Sequence, residues 1–248
     1  MRKVALVTGS SSGIGAATAR ALARNGYDLV LTWHSDQQGA EQVAEASRAL
    51  GAKVIVIRTD CGLPENINHL YAMLDANFGR IDLLVNNAGM VDRAARLEEM
   101  SLERITRMFR VNTIGALLVA AQAVRRMAFR HGGKGGVIVN VSSRAAVLGG
   151  GGTYVDYAAS KGALDTLTKG LADENALEGI RVVGVRPGVI ETPLHSRGGD
   201  PDRAERLAAN VPMQRPGSAE EVAEAILWLV SDNASYVTGT LLDVSGGR

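Results

Sequence analysis

Residues 8–15 read TGSSSGIG, and this glycine-rich stretch decides how the chain is expected to fold. The apolar run KVALVT leads into it, and the helix-period segment GIGAATARALARNG follows from its last glycines. Glycines allow a tight turn and a close backbone approach, while a helix N-terminus offers free N–H groups and a positive dipole end to a phosphate. A strand, a glycine turn and a helix in this order predict a nucleotide site, with a plain turn as the alternative.

The alternation of strand and helix signals continues along the whole chain. Runs rich in β-branched residues predict seven strands: KVALVT, YDLVLTW, KVIVIRT, IDLLVNN, GVIVNVSS, IRVVGVRPG and TLLDVSG. Helix-period segments such as GAEQVAEASRALG and PENINHLYAMLDANFG lie between most of them and carry helix start and stop residues. Apolar runs without strict alternation are typical of strands covered on both faces. The sequence therefore predicts an α/β fold: one doubly wound, parallel, seven-stranded Rossmann-type sheet with helices on both faces.

No linker, charge block or internal repeat interrupts the alternation of strand and helix segments. We therefore expect a single dinucleotide-binding and catalytic domain over residues 1–248. One region is irregular, because residues 191–215 carry several glycines, prolines and charges. Long loops beside a rigid sheet commonly carry function, so we predict a substrate lid over about this range, with a little helix inside it.

The composition narrows the classes of partner. A hydrophobic content of 46% with 21% charged residues is that of a globular protein, and the formal charge of +1 gives no sign of a nucleic-acid partner. Cys61 is the only cysteine, which fits a reducing compartment, and we expect a cytoplasmic protein. The first apolar run is too short for an export signal, and no segment is long enough to cross a membrane. The histidines lack metal-ligand spacing, so no metal site is expected.

The end of the second predicted strand bears on the choice of cofactor. In dinucleotide folds an acid at this point binds the ribose hydroxyls of NAD, whereas a basic or small polar environment admits the extra phosphate of NADP. The chain reads LTWHSD, with Trp33 where an acid is expected, followed by His34 and Ser35. NADP is therefore favoured over NAD. Asp36 lies close behind and reverses this prediction if the strand ends later.

The string YAASK, residues 157–161, places a phenol and an ammonium four residues apart. On a helix, positions i and i+4 share a face, so the heads of Tyr157 and Lys161 can meet at one point. Coincidence is the simpler explanation for the pair alone. Further strings give it context: NNAG at 86–89, VN at 111–112, NVSS at 140–143 and RPGVIET at 186–192.

Together with the glycine loop, and in this order across the whole chain, these strings resemble the short-chain dehydrogenase/reductase family. YVDYAASKGA and the ending SDNASYVTGTLLDVSGG resemble bacterial members described as 3-oxoacyl-carrier-protein reductases or sugar dehydrogenases. The resemblance implies an NADP(H)-dependent oxidoreductase that interconverts a ketone and a secondary alcohol by hydride transfer. Reduction of a 3-oxoacyl thioester is one form of this activity. The alternatives are a glucose-type sugar dehydrogenase and a non-catalytic dinucleotide-binding sensor.

The resemblance assigns chemical roles to four residues. Hydride transfer to a carbonyl carbon requires a proton for the oxygen, which makes Tyr157 the acid/base. A positive charge nearby favours the phenolate, so Lys161 is expected to lower the Tyr157 pKa, and in the family it also binds the nicotinamide ribose. Ser143 is similar to the serine that hydrogen-bonds the substrate carbonyl. Its spacing to Tyr157 is one residue longer than is common, a difference that the GGGGT loop can absorb. Ser142 is the fallback. Asn112 is similar to the residue that holds a relay water.

Further residues are carried over to the cofactor. Asp60 matches the acid that accepts from the adenine amino group, and Asn86 matches the asparagine that stiffens the sheet and lines the adenosine ribose. Ile190 and Thr192, which follow the Pro187-Gly188 turn, match positions that contact the nicotinamide amide. The full set expected at the cofactor is Gly9, Ser11, Ser12, Gly13, Ile14, Gly15, His34, Ser35, Asp60, Asn86, Ala88, Gly89, Tyr157, Lys161, Pro187, Gly188, Ile190 and Thr192. Family members commonly form tetramers, so a homotetramer acting on a small carbonyl or alcohol substrate is expected.

Overall fold

A computed structural model describes residues 2–248, apart from the side chains of His195 and Arg197. Within this range the strands form one sheet in the order β3-β2-β1-β4-β5-β6-β7, and every neighbouring pair is parallel. The strands are β1 (Lys3–Val7), β2 (Tyr27–Trp33), β3 (Val54–Arg58), β4 (Leu83–Asn86), β5 (Gly136–Val141), β6 (Ile180–Pro187) and β7 (Leu241–Val244). Each predicted strand is present, and the predicted α/β class with a seven-stranded parallel sheet is confirmed.

Helices connect the strands. They are α1 (Gly13–Arg24), α2 (Gln37–Ala49), α3 (Pro64–Phe78), α4 (Leu102–Phe109), α5 (Ala116–Met127), α6 (Ala145–Leu148), α7 (Val155–Asn175), α8 (Pro193–Arg197), α9 (Arg203–Ala208) and α10 (Ala219–Val230). A π-helical turn, Arg110–Gly115, joins α4 to α5. Residues 191–215 contain the two short helices α8 and α9. No helix in the described range has both the length and the hydropathy of a membrane-spanning segment.

The core lies on both faces of the sheet, which explains why the strands read as continuous apolar runs. Successive side chains of a strand point to opposite faces. In β1, Ala5 and Val7 pack in one buried cluster with α1 and α10, whereas Val4 and Leu6 pack in a second cluster with α3 and α5. Each of these clusters removes large aliphatic side chains from water, and each fully buried one contributes about 1.5–3 kcal/mol.

Local signals fix where the helices begin and end. Pro64 occupies the first turn of α3, and Gly79 ends that helix in the left-handed region at φ +65°. Asp36 caps α2, because its Oδ1 accepts a hydrogen bond from the Gly39 N–H at 2.9 Å. Between β1 and β4 the strand order reverses. A doubly wound sheet opens a crevice beyond the carboxyl ends of its strands at such a point.

Candidate active site

A cavity of about 940 Å³ opens at the carboxyl edge of the sheet. The glycine loop after β1, the ends of β2 and β5, the residues after β4 and β6, the start of α7 and the segment with α8 and α9 form its walls. Its position at the reversal of strand order is where α/β folds bind nucleotides and substrates. All predicted cofactor and catalytic residues except Asn86 and Asn112 line this cavity.

The glycine loop requires glycine at the predicted positions. Gly9 and Gly13 have φ values of +64° and +54°, which side chains rarely adopt. A Cβ on Gly15 would lie 2.4 Å from the Gly9 carbonyl oxygen and 2.5 Å from Asn87 Nδ2. The loop therefore presents bare backbone beside the N-terminus of α1. Such a cradle fits the pyrophosphate of a dinucleotide.

Hydrogen bonds join the segment after β4 to the glycine loop. Thr8 Oγ1 accepts hydrogen bonds from the N–H groups of Asn87 and Ala88, both at 2.9 Å. The Asn87 side-chain amide donates to the carbonyls of Thr8 at 2.8 Å and Gly9 at 3.0 Å. These bonds hold the two walls of the crevice at a fixed separation.

Asn86 agrees with the first part of its prediction, the stiffening of the sheet, but not with the second, the lining of the ribose site. Its amide is buried in the sheet and donates to Ala116 O at 2.9 Å and to Asn140 Oδ1 at 3.3 Å. It therefore ties β4 to α5 and β5, and it does not line the cavity. Asn87, the next residue, lines the cavity instead, because consecutive strand residues point in opposite directions. The prediction that Asn86 lines the ribose site is wrong.

The far end of the cavity lies beyond β2 and β3. Trp33, His34, Ser35 and Asp60 line it, and His34 Nε2 lies 3.9 Å from Asp60 Oδ2 with its side chain 65% exposed. β2 ends at Trp33, and the Asp36 carboxylate caps α2 instead of lining the cavity. The condition under which Asp36 would favour NAD is therefore not met.

Tyr157 and Lys161 lie on one face of α7, and both line the cavity. Lys161 Nζ donates to the carbonyl of Val141, the last residue of β5, at 2.8 Å. The same nitrogen lies 5.8 Å from the centre of the Tyr157 ring. A Cβ on Gly89 would lie 3.3 Å from Lys161 Nζ, so glycine at this position leaves room for the ammonium.

Burial changes the ionisation of both members of this pair. Burial raises the pKa of the Tyr157 phenol above its ordinary value, and a hydrogen bond with Ser143 opposes the rise. Burial also lowers the pKa of the Lys161 ammonium to about 8, against the effect of the Asp165 carboxylate. Without a cofactor, desolvation of the phenol outweighs the hydrogen bond with Ser143. A lowering of the Tyr157 pKa by Lys161 together with an oxidised nicotinamide stays a prediction for the occupied site.

The structure separates the two candidate serines. Ser143 shares a side-chain hydrogen bond with Tyr157, and its Oγ accepts from the Ala145 N–H at 3.1 Å. Ser142 is buried, and its hydroxyl donates to the Lys161 carbonyl oxygen at 3.1 Å. Four glycines, residues 149–152, lie between α6 and α7, within the Ser143 to Tyr157 spacing. The geometry favours Ser143 over Ser142.

Asn112 lies behind the cavity wall, in the π-helical turn between α4 and α5. Its Oδ1 accepts from the Met90 N–H at 2.8 Å, and its Nδ2 lies 2.9 Å from the Met90 carbonyl and 3.1 Å from Ser160 Oγ. A Cβ on Gly89 would lie 3.4 Å from Asn112 Oδ1 and 3.3 Å from Lys161 Nζ. Asn112 is thus next to Lys161 but separated from the open space.

The residues after β6 form the remaining wall. The Gly188 N–H donates to the carbonyl of Val244, the last residue of β7, at 2.9 Å. A Cβ on Gly188 would lie 2.7 Å from Ser245 Cα, which explains glycine after Pro187. Ile190 is buried, and Thr192 lies beside Gly13, whose added Cβ would meet Thr192 Cγ2 at 3.2 Å. The predicted nicotinamide positions therefore reach the glycine loop.

Several cavity residues escaped the sequence reasoning. NNAG contains two adjacent asparagines, and the prediction chose Asn86 where Asn87 lines the cavity. Tyr154 also lines the cavity, but nothing in the string YVDY indicates a chemical role for it. Arg203 of α9 also lines the cavity, far along the chain from every motif. Among the described residues, no group of three or more His, Cys, Asp or Glu side chains is arranged to hold a metal ion.

Comparisons with known proteins agree with this architecture. A family model described as Enoyl-(Acyl carrier protein) reductase matches residues 9–248. The protein named Uncharacterized oxidoreductase YgfF of Escherichia coli K12 is 47% identical over 245 residues, covering 99% of both chains. Cis-4-hydroxycyclohexanecarboxylate dehydrogenase of Sinomonas cyclohexanicum is 39% identical over 245 residues, covering 99% of this chain and 96% of the relative.

Solved structures carry the same fold. A short-chain dehydrogenase of Burkholderia cenocepacia in complex with NADP is 33% identical, with a TM-score of 0.91 and coverage of 99% of this chain and 97% of that one. A 3-ketoacyl-(acyl-carrier-protein) reductase of Brucella melitensis complexed with NADH is 33% identical, with a TM-score of 0.90 and coverage of 99% and 98%. The chain is an enzyme and belongs to the short-chain dehydrogenase/reductase family of oxidoreductases.

Proposed function

We propose that this oxidoreductase interconverts a ketone and a secondary alcohol with NADP(H), using Tyr157 as the acid/base. The observation that carries the proposal is the convergence of Tyr157, Ser143 and Lys161 on one cavity, beside a glycine loop shaped for a pyrophosphate. A binding protein without turnover has no need of a half-buried phenol hydrogen-bonded to a serine at the cavity wall. The arrangement therefore favours catalysis over a sensor.

Each side chain has a separate task in reduction. When bound, the nicotinamide supplies the hydride, and in its oxidised form it adds a positive charge. The Ser143 hydroxyl donates to the substrate oxygen and stabilises the charge that develops on it. The Tyr157 phenol gives its proton to that oxygen, and the raised pKa of Tyr157 keeps the phenol protonated for this step. In the reverse direction the phenolate accepts the alcohol proton.

Lys161 and Asn112 support this step from behind Tyr157. Lys161 is buried at 3% exposure and is oriented by its bond to the Val141 carbonyl, next to Gly89. This position suits an ammonium that holds the nicotinamide ribose beside Tyr157. Asn112 fixes the Met90 backbone and borders Lys161, which suits a residue that orders a water in a proton relay.

NADP is the favoured cofactor. The end of β2 presents His34 and Ser35 to the cavity, and its nearest carboxylate on the same loop, Asp36, is bound to the α2 cap. On the β2 side an extra phosphate thus meets an imidazole and a hydroxyl, while the Asp60 carboxylate, 3.9 Å from His34 Nε2, is assigned to the adenine amino group. We expect His34→Asp to shift the ratio of the NADPH and NADH values of kcat/KM toward NADH by at least about tenfold, with His131→Asp, an exposed histidine outside the cavity, as the matched control.

The substrate is a small carbonyl or alcohol compound, and residues 191–215 are proposed as its lid. Pro193, Leu194 and Leu207 from this segment line the cavity, which supports the assignment. Reduction of a 3-oxoacyl thioester is one candidate reaction, supported by the Brucella melitensis reductase of the same fold.

The test is turnover of NADPH and NADH, side by side, with acetoacetyl thioester and 4-oxocyclohexanecarboxylate, and of NADP⁺ and NAD⁺ with glucose. We expect one of these substrates to be turned over with NADPH, and Tyr157→Phe to lower kcat by at least about a thousandfold without loss of cofactor binding. Tyr236→Phe is the matched control, because Tyr236 is fully exposed and outside the cavity. Turnover that survives in Tyr157→Phe would refute the proposal.

A further inference from the structure

The cavity wall combines apolar side chains with arginines. Leu148, Tyr154 and Leu207 line it together with Arg203 and Arg206 of α9. Tyr154 lies three residues before Tyr157 and is buried, as the residue that precedes α7. The wall around the proposed acid/base is therefore not uniformly apolar, and it contains a permanent positive charge.

The Arg203 guanidinium is held in place but lacks a full partner. It lies over the Tyr154 ring at 4.6 Å from the ring centre, and its side chain is 22% exposed. Asp200 is its only ion-pair partner within the described part of the chain, and the nearest atoms, Arg203 Nη1 and Asp200 Oδ2, are 3.9 Å apart. Stacking on an aromatic ring leaves the N–H groups at the edge of the guanidinium available.

The Asp200 carboxylate is hydrogen-bonded to Arg206. Its Oδ1 accepts from Arg206 Nη1 at 3.1 Å, and its Oδ2 accepts from Arg206 Nη2 at 2.5 Å. This bidentate arrangement uses both carboxylate oxygens. No hydrogen bond from the Arg203 guanidinium is found among the described residues, so its charge is only weakly compensated.

The rest of the cavity offers Arg203 no carboxylate from the described side chains. Asp60 is the one acidic residue among those that line the cavity, and it lies at the opposite end beside His34. Thr192 and Pro193 cover the glycine loop, since a Cβ on Gly13 would meet both of them within 4 Å. Arg203, by contrast, lies on Tyr154. It therefore borders the substrate side rather than the pyrophosphate side.

We propose that Arg203 binds a carboxylate of the substrate and thereby selects oxo acids and hydroxy acids with an apolar body. This inference rests on the proposed function of Tyr157. Residues three apart at a helix start place their side chains roughly 5–6 Å apart, so the carboxylate is separated from the reacting carbonyl by several bonds. The planar guanidinium, fixed on the Tyr154 ring, can donate to both carboxylate oxygens at once.

The first experiment measures binding without chemistry. Cyclohexanecarboxylate and the neutral cyclohexanecarboxamide are titrated by calorimetry into the protein saturated with NADP⁺, since neither compound carries an alcohol or ketone. We expect the acid to bind about ten- to a hundredfold more tightly than the amide, the range given by charge-assisted hydrogen bonds. Arg203→Gln should reduce the preference to below about threefold, and Arg203→Lys should retain part of it.

Arg93→Gln is the matched control. Arg93 is exposed and lies beside the same segment, where a Cβ on Gly199 would be 3.4 Å from its Cγ, but it does not line the cavity. If Arg203 itself binds the carboxylate, Arg93→Gln should keep the full preference for the acid over the amide. Equal binding of acid and amide, no binding of either, or a preference that survives in Arg203→Gln would each overturn the proposal for Arg203.

Turnover separates this proposal from the proposed function. 4-Oxocyclohexanecarboxylate and its methyl ester are compared with NADPH in the wild type, Arg203→Gln and Tyr157→Phe. The proposal for Arg203 requires a higher kcat/KM for the acid than for the ester in the wild type, and a larger fall of kcat/KM for the acid than for the ester in Arg203→Gln. The proposal for Tyr157 requires loss of both reactions in Tyr157→Phe. Equal turnover of acid and ester would refute the role of Arg203 alone. Reduction that persists in Tyr157→Phe would refute the role of Tyr157 alone.

Discussion

Arg104 of α4 and Asp156 of α7 form a buried ion pair immediately before Tyr157. Arg104 Nε donates to Asp156 Oδ2 at 2.8 Å, and the Asp156 side chain has no exposed surface. Asp156 Oδ1 also accepts from the Tyr157 N–H at 2.9 Å, while Arg104 Nη1 donates to the Arg93 carbonyl at 2.7 Å. The pair thus joins the start of α7 to α4 and to the loop after β4.

Removal of one partner should be costly. Arg104→Met leaves the Asp156 carboxylate buried without its counter-charge, and we expect the free energy of unfolding to fall by about 3 kcal/mol. The double variant Arg104→Met/Asp156→Leu removes both charges and should recover most of the loss. Urea unfolding of the four proteins in a double-mutant cycle measures the coupling, and a single variant within about 0.5 kcal/mol of the wild type, the scatter of surface substitutions, would contradict it.

Lys161 predicts a specific dependence of stability on pH. Its pKa is lowered by burial to about 8, below the ordinary value of 10.5, so between these values the unfolded chain binds more protons than the folded one. The contribution of Lys161 to the free energy of unfolding therefore rises with pH in this window. Relative to Lys161→Met, the wild type should gain about 2 kcal/mol between pH 8 and pH 10.

The control for Lys161 is Lys169, an exposed residue on the same helix. Denaturant unfolding of the wild type, Lys161→Met and Lys169→Met at pH 7, 8, 9 and 10 gives the comparison. The Lys169→Met difference should stay constant with pH. A Lys161→Met difference that is flat as well would show that the ammonium is not desolvated in the folded protein.

Gly15 and Gly170 form a matched pair of helical glycines. Gly15→Ala places a Cβ 2.4 Å from the Gly9 carbonyl oxygen, so the glycine loop must shift. We expect a loss of at least about 2 kcal/mol in stability and tenfold weaker NADP⁺ binding, since overpacking forces the backbone to move. Gly170→Ala has open space around it and should stabilise by about 0.5–1 kcal/mol through helix propensity. Thermal unfolding and cofactor titration of both variants test the contrast.

Ser143→Ala and Ser142→Ala should have different effects. Ser143 bonds the Tyr157 phenol, so its loss should lower kcat by about a hundredfold or more, as loss of an oxyanion donor does, with little change in stability. Ser142 bonds the Lys161 carbonyl within the fold, so its loss should lower stability by about 1 kcal/mol and change kcat less. Steady-state kinetics and urea unfolding distinguish them, and the reverse pattern would make Ser142 the functional serine.

The predicted strands and the first helices needed little tertiary information. A strand buried on both faces, such as β1, has to be apolar throughout, and a helix that ends at Gly79 has to reverse its backbone in the left-handed region. These are local requirements of the chain. They can be read from the residue types, and the alternation of strand and helix segments along the chain predicted the parallel sheet.

The site was predicted less completely, because its details depend on direction and on burial. Asn86 and Asn87 are neighbours in the same string, yet one bonds within the sheet and the other lines the cavity, since side chains alternate along a strand. Desolvation raises the pKa of the Tyr157 phenol in the protein without cofactor, an effect that the sequence did not reveal because it shows a nearby Lys161 but not how much water the fold removes.

By itself, the sequence determined the alternating architecture, the glycine loop and the spacing of Tyr157 and Lys161, since all of these follow from contacts between residues close in the chain. Only the tertiary structure decided that Ser143 rather than Ser142 meets Tyr157, and that Arg203 stacks on Tyr154. The physical reason is that residues far apart in the chain meet only when helices and strands pack, and that packing sets their distances, burial and charge partners.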